Sequence, residues 1–375
     1  MSDLLRSAGA SWLLAALVAL VVSYLLIATQ RWHGRFTHDS TDGDQKFHSD
    51  PTPRIGGLGI VAGCTVAWLV TREPLLGWLL LAGIPAFAAG FAEDLTKRVG
   101  VAPRLLATLA SGVLVCLFTG VSLARVEIPV LDSLLQHGWF AIPFTALALA
   151  GVANALNIID GFNGLAGGVA VIIFAAIGLI ALQHGDPVVA SASGALAAAM
   201  LGFLCLNFPL GRIFLGDGGA YFAGFAMAWM AVLLVTRNPA VSPWALLLVC
   251  AYPVVEMLYS CWRKIRREGH HPSRPDRLHL HMLMHQRWAR KWFRHWSPRM
   301  QNGMTAPMGW LLALLPAGLA VWAASSTLVT LLGLLAFTAL YMGIYAWLTR
   351  FSWRAASGDR RAAPVVTGVP ERTMD

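Results

Sequence analysis

The sequence predicts an all-α polytopic membrane protein with about eleven spanning helices, and three observations predict it. Of 375 residues, 57% are hydrophobic and 13% are charged, whereas a soluble domain carries roughly a quarter charged. The apolar residues are gathered into long continuous runs, not the alternating pattern of an outer-membrane barrel. The basic residues gather on one of the two sides between which the connections alternate.

The runs fall, in order, at residues 10–29, 56–71, 75–92, 104–121, 138–156, 165–183, 188–207, 219–236, 243–260, 306–323 and 327–348. A helix crosses a bilayer with about 20 apolar residues, so the shorter runs sit at the lower limit. The first run follows Asp3 and Arg6, is long, and has no small-residue cleavage site before Trp32. It reads as a retained helix and not as a signal peptide. Cys64, Cys116, Cys205, Cys250 and Cys261 stand singly in or beside the runs, with neither disulfide nor zinc spacing.

Eleven spans alternate their connections between two sides. Segments 30–55, 93–103 with Arg104, 157–164, 208–218, 261–305 and the end after 349 carry 24 of the 28 Lys and Arg residues. Arg6, Arg72, Arg125 and Arg237 are the rest. Cytoplasmic loops gather positive charge, so the rich side is cytoplasmic, the amino terminus periplasmic and the carboxyl terminus cytoplasmic. The net charge of +9 expresses this bias and attraction to anionic headgroups; it is not read as a nucleic-acid footprint. Residues 1–350 are expected to form one multi-span domain. Residues 351–375, polar and carrying Gly358, Pro364 and Pro370, are expected to form a mobile tail. The outer connections are short, and the longest, about 122–137, is expected to lie along the surface.

The inner connections hold the chemistry. The first, His48-Ser49-Asp50-Pro51-Thr52-Pro53-Arg54-Ile55-Gly56-Gly57, joins a phosphate-binding fork at Arg54 to glycines that permit close backbone approach; a Pro/Gly turn is its plain structural reading. The second sets Glu93 and Asp94 before Lys97 and Arg98 at a membrane boundary. Adjacent carboxylates there suit a divalent cation bridging phosphates, or else a solvated end with local ion pairs. In the third, Asn154, Asn157 and Asp160 step by three along one helix face. Gly161, Asn163 and Gly164 then reverse the chain, and packing alone does not account for so many amides at membrane depth. In the fourth, Asp217 lies between glycines, suited to a metal or to a helix cap, and Phe214 offers a ring to a base. The fifth brings Arg274 and Arg277 beside His279 and His281 as a pyrophosphate clamp. Zinc is the other reading of that histidine cluster, but no recognised ligand spacing fits. The stretch from Arg287 to Trp296 mixes bases with tryptophans, as an interfacial anchor does.

Taken together, Asn154-x-x-Asn157-x-x-Asp160-Gly161-x-x-Gly164-Leu165-Ala166 and Phe214-x-Gly216-Asp217 are specific. From about residue 46 to 283 the chain resembles the polyprenyl-phosphate N-acetylhexosamine-1-phosphate transferases, with the motifs in the same order. The resemblance implies transfer of a sugar 1-phosphate from a UDP-sugar to undecaprenyl phosphate with release of UMP, starting O-antigen or other cell-envelope polysaccharide. It also implies Mg2+, or Mn2+ in its place, and a bacterial inner membrane with the site on the cytoplasmic face. It leaves a homodimer open.

By the same resemblance, Asp217 is the metal ligand, Asn157 assists it, and Phe214 stacks on uracil. Asp94 is the second of paired acidic residues, Lys97 its downstream lysine, and Asp160 the first aspartate of the next motif. These, with Glu93, form the catalytic group; Asn154, Asn157, Asn163, Arg54, Arg277, His279 and His281 join Phe214 as substrate-binding candidates. Three positions depart from the pattern: Glu93 replaces an aspartate, Asn163 stands where bacterial members often carry a second aspartate, and Met282 replaces a final histidine. The departures lean away from the branch whose donor carries a peptide. A transporter of nucleotide or lipid-linked sugars is the main competing reading, although it would place its polar groups near the midplane. A scaffold has no use for these amides and carboxylates, and a CDP-alcohol phosphotransferase would space its aspartates differently.

Overall fold

The computed structural model describes residues 2–39, 51–266 and 278–358. All eleven apolar runs are helical. The chain opens with α1 (Ser2–Ala28) and the short α2 (Gln30–Thr37), then a ribbon of β1 (His38–Asp39) against β2 (Thr52–Pro53), paired antiparallel with His38 opposite Pro53. Helices α3 (Gly57–Thr71), α4 (Pro74–Ala82), α5 (Ile84–Thr96) and α6 (Val101–Thr119) follow. The long connection after α6 contains α7 (Pro129–Leu135) and leads to α8 (Gly138–Ile159), α9 (Leu165–Gln183), α10 (Pro187–Asn207) and α11 (Gly216–Arg237). After α12 (Pro243–Val249) and α13 (Ala251–Arg266) come the short α14 (Leu280–Met284), α15 (Arg290–Trp292) and α16 (Pro298–Gly303). Two long helices, α17 (Ala306–Trp322) and α18 (Thr327–Gly358), end the described chain.

The protein is all-α apart from that ribbon, and it is a multi-pass membrane protein. Among the described residues eight helices are long and apolar enough to cross a membrane, or ten if each of two bent pairs counts as one span. The bent pairs are α4–α5, at 43°, and α12–α13, at 78°. Each pair falls within a single apolar run of the sequence, 75–92 and 243–260. Pro85 and Pro253 explain the breaks, since each lies in the first turn of its second half-helix, where a missing N–H is tolerated and the preceding turn cannot continue. The remaining run, 56–71, is α3, apolar but only 15 residues long. At the other end, α18 continues to Gly358, past the expected start of a tail; residues 359–375 lie outside the described residues.

Helix α11 is the axis of the bundle. Its Phe225, Trp229 and Met230 are fully buried, and it packs against α3, α5, α8 and α9. With no hydrophobic force between helices in lipid, close approach depends on small residues. A Cβ on Gly112 would lie 2.7 Å from Ala146 Cα, which lets α6 and α8 meet backbone to backbone. Leu106, Leu117, Leu311 and Leu328 are each more than 60% exposed on outer helices. On a soluble protein such a surface would be an aggregation patch; here it faces lipid.

Candidate active site

The first turn of α11 is where distant segments meet. Residues 53–57 are stitched to it from one side: Phe214 N donates to Pro53 O at 2.8 Å, and the amides of Gly56 and Gly57 donate to Phe214 O and Leu215 O at 2.9 and 3.0 Å. Gly90 of α5 closes the other side, because a Cβ there would lie 2.5 Å from Gly218 N. This close crossing carries Asp94 up against the helix terminus.

Asp94 is 1% exposed and both its oxygens are engaged. Oδ1 accepts from Asp217 N and Oδ2 from Gly218 N, each at 2.9 Å. Unsatisfied amides of a helix start favour negative charge, so Asp94 caps α11 from a separate helix. Arg54 Nε pairs with Asp94 Oδ1 at 3.1 Å, while its Nη2 donates to Asp217 Oδ1 at 2.8 Å and its Nη1 reaches Asp39 at 3.4 Å. Burial lowers the Arg54 pKa, but Asp94, Asp39, Asp160 and Glu93 outweigh it, and the net shift is upward.

Asp217 itself is 8% exposed. Its Oδ1 also accepts from Asn157 Nδ2 at 3.2 Å, and its Oδ2 is paired with Arg104 of α6. Arg104 lies over the Tyr221 ring, 5.7 Å from the centroid, and Tyr221 Oη donates to Asn154 Oδ1 at 3.3 Å. Asp160 caps the end of α8 and, among the described residues, receives no hydrogen bond or ion pair on its carboxylate. Burial pushes the Asp160 carboxyl up to about 7, against the pull of Arg54 and with help from Asp94 and Asp39.

A second cluster adjoins the third loop. Glu256 of α13, 1% exposed, faces His279 Nδ1 at 3.0 Å and His281 Nδ1 at 3.8 Å. The two histidine rings stack with centroids 5.4 Å apart. His281 Nε2 has no hydrogen-bond partner among the described residues and lies 3.5 Å from the place of a Cβ on Gly161. Phe162 meets His281 edge-on at 5.8 Å and His285 at 4.8 Å. Burial lowers the His281 pKa, Glu256 opposing it, and takes His285 down to about 4.

A family model described as glycosyl transferase family 4 matches residues 76–235. A Bacillus subtilis (strain 168) protein, "Probable undecaprenyl-phosphate N-acetylglucosaminyl 1-phosphate transferase", is 30% identical over 247 residues, covering 64% of this chain and 67% of that protein. The chain belongs to the polyprenyl-phosphate sugar-1-phosphate transferases of glycosyl transferase family 4. Undecaprenyl-phosphate alpha-N-acetylglucosaminyl 1-phosphate transferases of Yersinia pestis and Escherichia coli (strain K12) are similar over more of the chain. They are 27% and 28% identical across 84% of this chain and 85% of each relative.

Within this transferase the candidate residues divide. Arg54, Asp94, Asn157 and Asp217 converge, with Asp160 close enough to shift Arg54 and Asn154 linked through Tyr221. His279 and His281 form the neighbouring cluster. Other candidates are turned to local tasks. Glu93 Oε2 accepts from Val99 N at 2.7 Å, closing the turn after α5 with its longer side chain. Lys97, in left-handed backbone, donates from Nζ to the Asp94 carbonyl at 2.6 Å. Asn163 is 5% exposed and donates from Nδ2 to Pro209 O at 3.1 Å, so it braces the third loop against the fourth. Arg274 and Arg277, like His48, Ser49 and Asp50, lie outside the described residues.

Sequence reasoning missed four contributors: Asp39, Arg104, Tyr221 and Glu256. A carboxylate within the apolar run Tyr252–Tyr259 was the one available signal, since an ionisable group inside a span is functional by default. Arg104 was counted only as positive charge.

Proposed function

We propose that this transferase moves an N-acetylhexosamine 1-phosphate from a UDP-sugar to undecaprenyl phosphate, releasing UMP, and so starts O-antigen or related envelope polysaccharide. The observation that carries the reading is the convergence of Arg54, Arg104, Asn157 and Asp217 at one end of the bundle, next to the Asp94 cap. The names of the relatives, undecaprenyl-phosphate N-acetylglucosaminyl 1-phosphate transferases, support the substrates. The converging ends of α5 and α8 and starts of α3, α6 and α11 lie among the set of connections that together carry 24 of the 28 Lys and Arg residues. That supports a cytoplasmic site in a bacterial inner membrane.

Phosphoryl transfer depends on positioning and charge neutralisation more than on covalent help. A phosphate monoester has its second pKa near 6, so the acceptor is largely dianionic at neutral pH and a strong base is not required. Asp94, with both oxygens on α11 and Arg54, then serves to aim Asp217. The guanidinium groups of Arg54 and Arg104, held on Asp217 without substrate, are placed to turn to the diphosphate and neutralise its charge. Phe214 is anchored through its own backbone to residues 53 and 56, which supports a fixed ring against which uracil stacks.

Mg2+ fits the donor set. Asp217 and the Asn157 carboxamide meet at one point, and magnesium favours one or two carboxylates completed by substrate phosphates. Among the described residues no three histidine, cysteine or acidic side chains could hold a metal by themselves, in keeping with a site that substrate completes. Asp217, with the Asn157 carbonyl oxygen once its amide turns, would hold the ion, which supplies charge neutralisation at the departing phosphate.

The deciding experiment incubates purified protein in detergent with Mg2+, undecaprenyl phosphate and a panel of UDP-N-acetylhexosamines. UMP and lipid diphosphate are expected to appear together for at least one sugar. Transport of an intact sugar nucleotide without UMP release would overturn the reading.

A further inference from the structure

We propose that Glu256 is the positioning residue of the histidine pair. Its buried carboxylate fixes His279 and His281 in one orientation, against the turn that follows Asp160. The proposal rests on the functional reading above for its substrate and on geometry for everything else.

Glu256 lies in the second half of the more sharply bent helix pair, six residues beyond the break at Cys250. An ionised carboxylate at that depth is costly unless its oxygens are satisfied. They are. Leu280 N donates to both oxygens at 3.2 Å, and His279 Nδ1 lies 3.0 Å from Oε1. An ionised carboxylate only accepts, so His279 must carry its proton on Nδ1, and the tautomer follows from the contact. His281 is stacked on His279 and is held in turn. Its Nε2, without a hydrogen-bond partner among the described residues, is directed at Gly161, where any side chain would meet the ring.

A leucine at 256 would suit the span. A carboxylate that meets the His279 ring, the backbone between the histidines and the edge of His281, with the Tyr252 and Tyr341 side chains also facing it, is suited instead to holding two imidazoles against Asp160–Gly161. Those imidazoles are the ones the sequence pattern suggests as part of a pyrophosphate clamp.

The test is a double-mutant cycle on full-length protein in detergent, reading KM and kcat for UMP release. Glu256→Gln keeps the shape and removes the charge; it is expected to raise KM for the UDP-sugar about tenfold, the loss of one charge-assisted contact, with a smaller change in kcat. Added to His279→Ala, it should cost little more than His279→Ala alone, because the carboxylate acts through the ring. Glu256→Asp, which keeps the charge one methylene short, should recover part of the KM.

A second readout does not involve turnover. Carbethoxylation of His279 and His281, followed by peptide mass spectrometry, should be several-fold faster in Glu256→Gln than in wild type. Additive losses in the cycle, or unchanged carbethoxylation rates in a folded variant, overturn the proposal. If Glu256→Gln does not fold, Glu256→Asp with wild-type KM and labelling overturns it equally. A wild-type protein that releases no UMP would defeat the functional reading, and the labelling would still decide the role of Glu256.

Discussion

The two ends of the bundle both hold charged clusters, and they are built differently. At the end away from the α11 start Asp186 accepts from Arg237 Nε at 2.6 Å, Asn238 Nδ2 at 3.1 Å and Val189 N at 3.1 Å. Nearby, Arg125 grips Glu127 at 2.7 Å and the carbonyls of Pro239 and Val241 at 2.8 and 2.6 Å. Ser242 and Thr327 complete the coordination of Glu127. Asp186, Arg237, Arg125 and Glu127 are each answered by groups that join one connection to another. At the α11 start the Asp217 carboxylate draws two guanidinium groups and an amide, the Asp160 carboxylate has no hydrogen-bonded partner among the described residues, and the His281 ring keeps an unsatisfied nitrogen there. The difference separates a clasp from a site. A clasp uses its hydrogen-bonding capacity internally, whereas a site holds some in reserve for a ligand.

The comparison can be broken at either end, and the largest effect is expected at Asp217. Asp217→Asn should reduce sugar-phosphate transfer by about 10³-fold, within the range for losing a preorganised electrostatic group, while membrane insertion and detergent elution stay as in wild type. Near-normal turnover in saturating Mg2+ would remove Asp217 from the centre of the site. Next is Arg104→Ala, expected to raise KM for the UDP-sugar roughly 10- to 100-fold, the scale of a charge-assisted contact. Arg104→Lys should restore only part, since a point charge replaces a fork. Initial rates across donor concentrations check both.

Phe214→Ala should raise the half-saturation for UDP-sugar about tenfold, as stacking on a base is worth about 1–3 kcal/mol. A change confined to lipid-phosphate affinity would contradict the stacking role.

The smallest effect belongs to the Asp186 end. Asp186→Asn should leave turnover per folded molecule unchanged and cost about 1 kcal/mol of thermal stability through the weakened cap and ion pair. Hydrogen bonds from Arg237, Val189 and Asn238 outweigh burial and hold the Asp186 carboxyl below the usual carboxylate range. Its folded pKa is therefore depressed, so its contribution is present above the ordinary pKa near 4 and is lost as pH falls through the lowered value. Melting curves between about pH 3 and 7, the window in which carboxylates titrate, should show wild type converging on Asp186→Asn only at the acid end.

Much of this was legible in one dimension. Each run from α1 to α18 could be located because a bilayer reads hydrophobicity locally, and the bias of Lys and Arg depends only on composition between runs. Asn157 and Asp217 could be named because amides and carboxylates at membrane depth are costly. Nothing local distinguished Asn157, which reaches Asp217, from Asn163, which reaches Pro209 O, since the two sit six positions apart in the same motif. Glu93 and Asp94 are adjacent, yet one closes a turn and the other caps a helix 123 residues away.

The sequence alone determined the inventory: how many apolar segments, which side bears positive charge, and which polar groups stand where lipid would reject them. Tertiary structure decided the pairing. Which oxygen meets which amide depends on the crossing of α5, α8 and α11, and on the bends at Gly83 and Cys250 that bring Asp94 and Glu256 to their partners. Hydrophobicity is a property of each residue, but a hydrogen bond needs two groups within about 3 Å, and only the packed bundle supplies that distance.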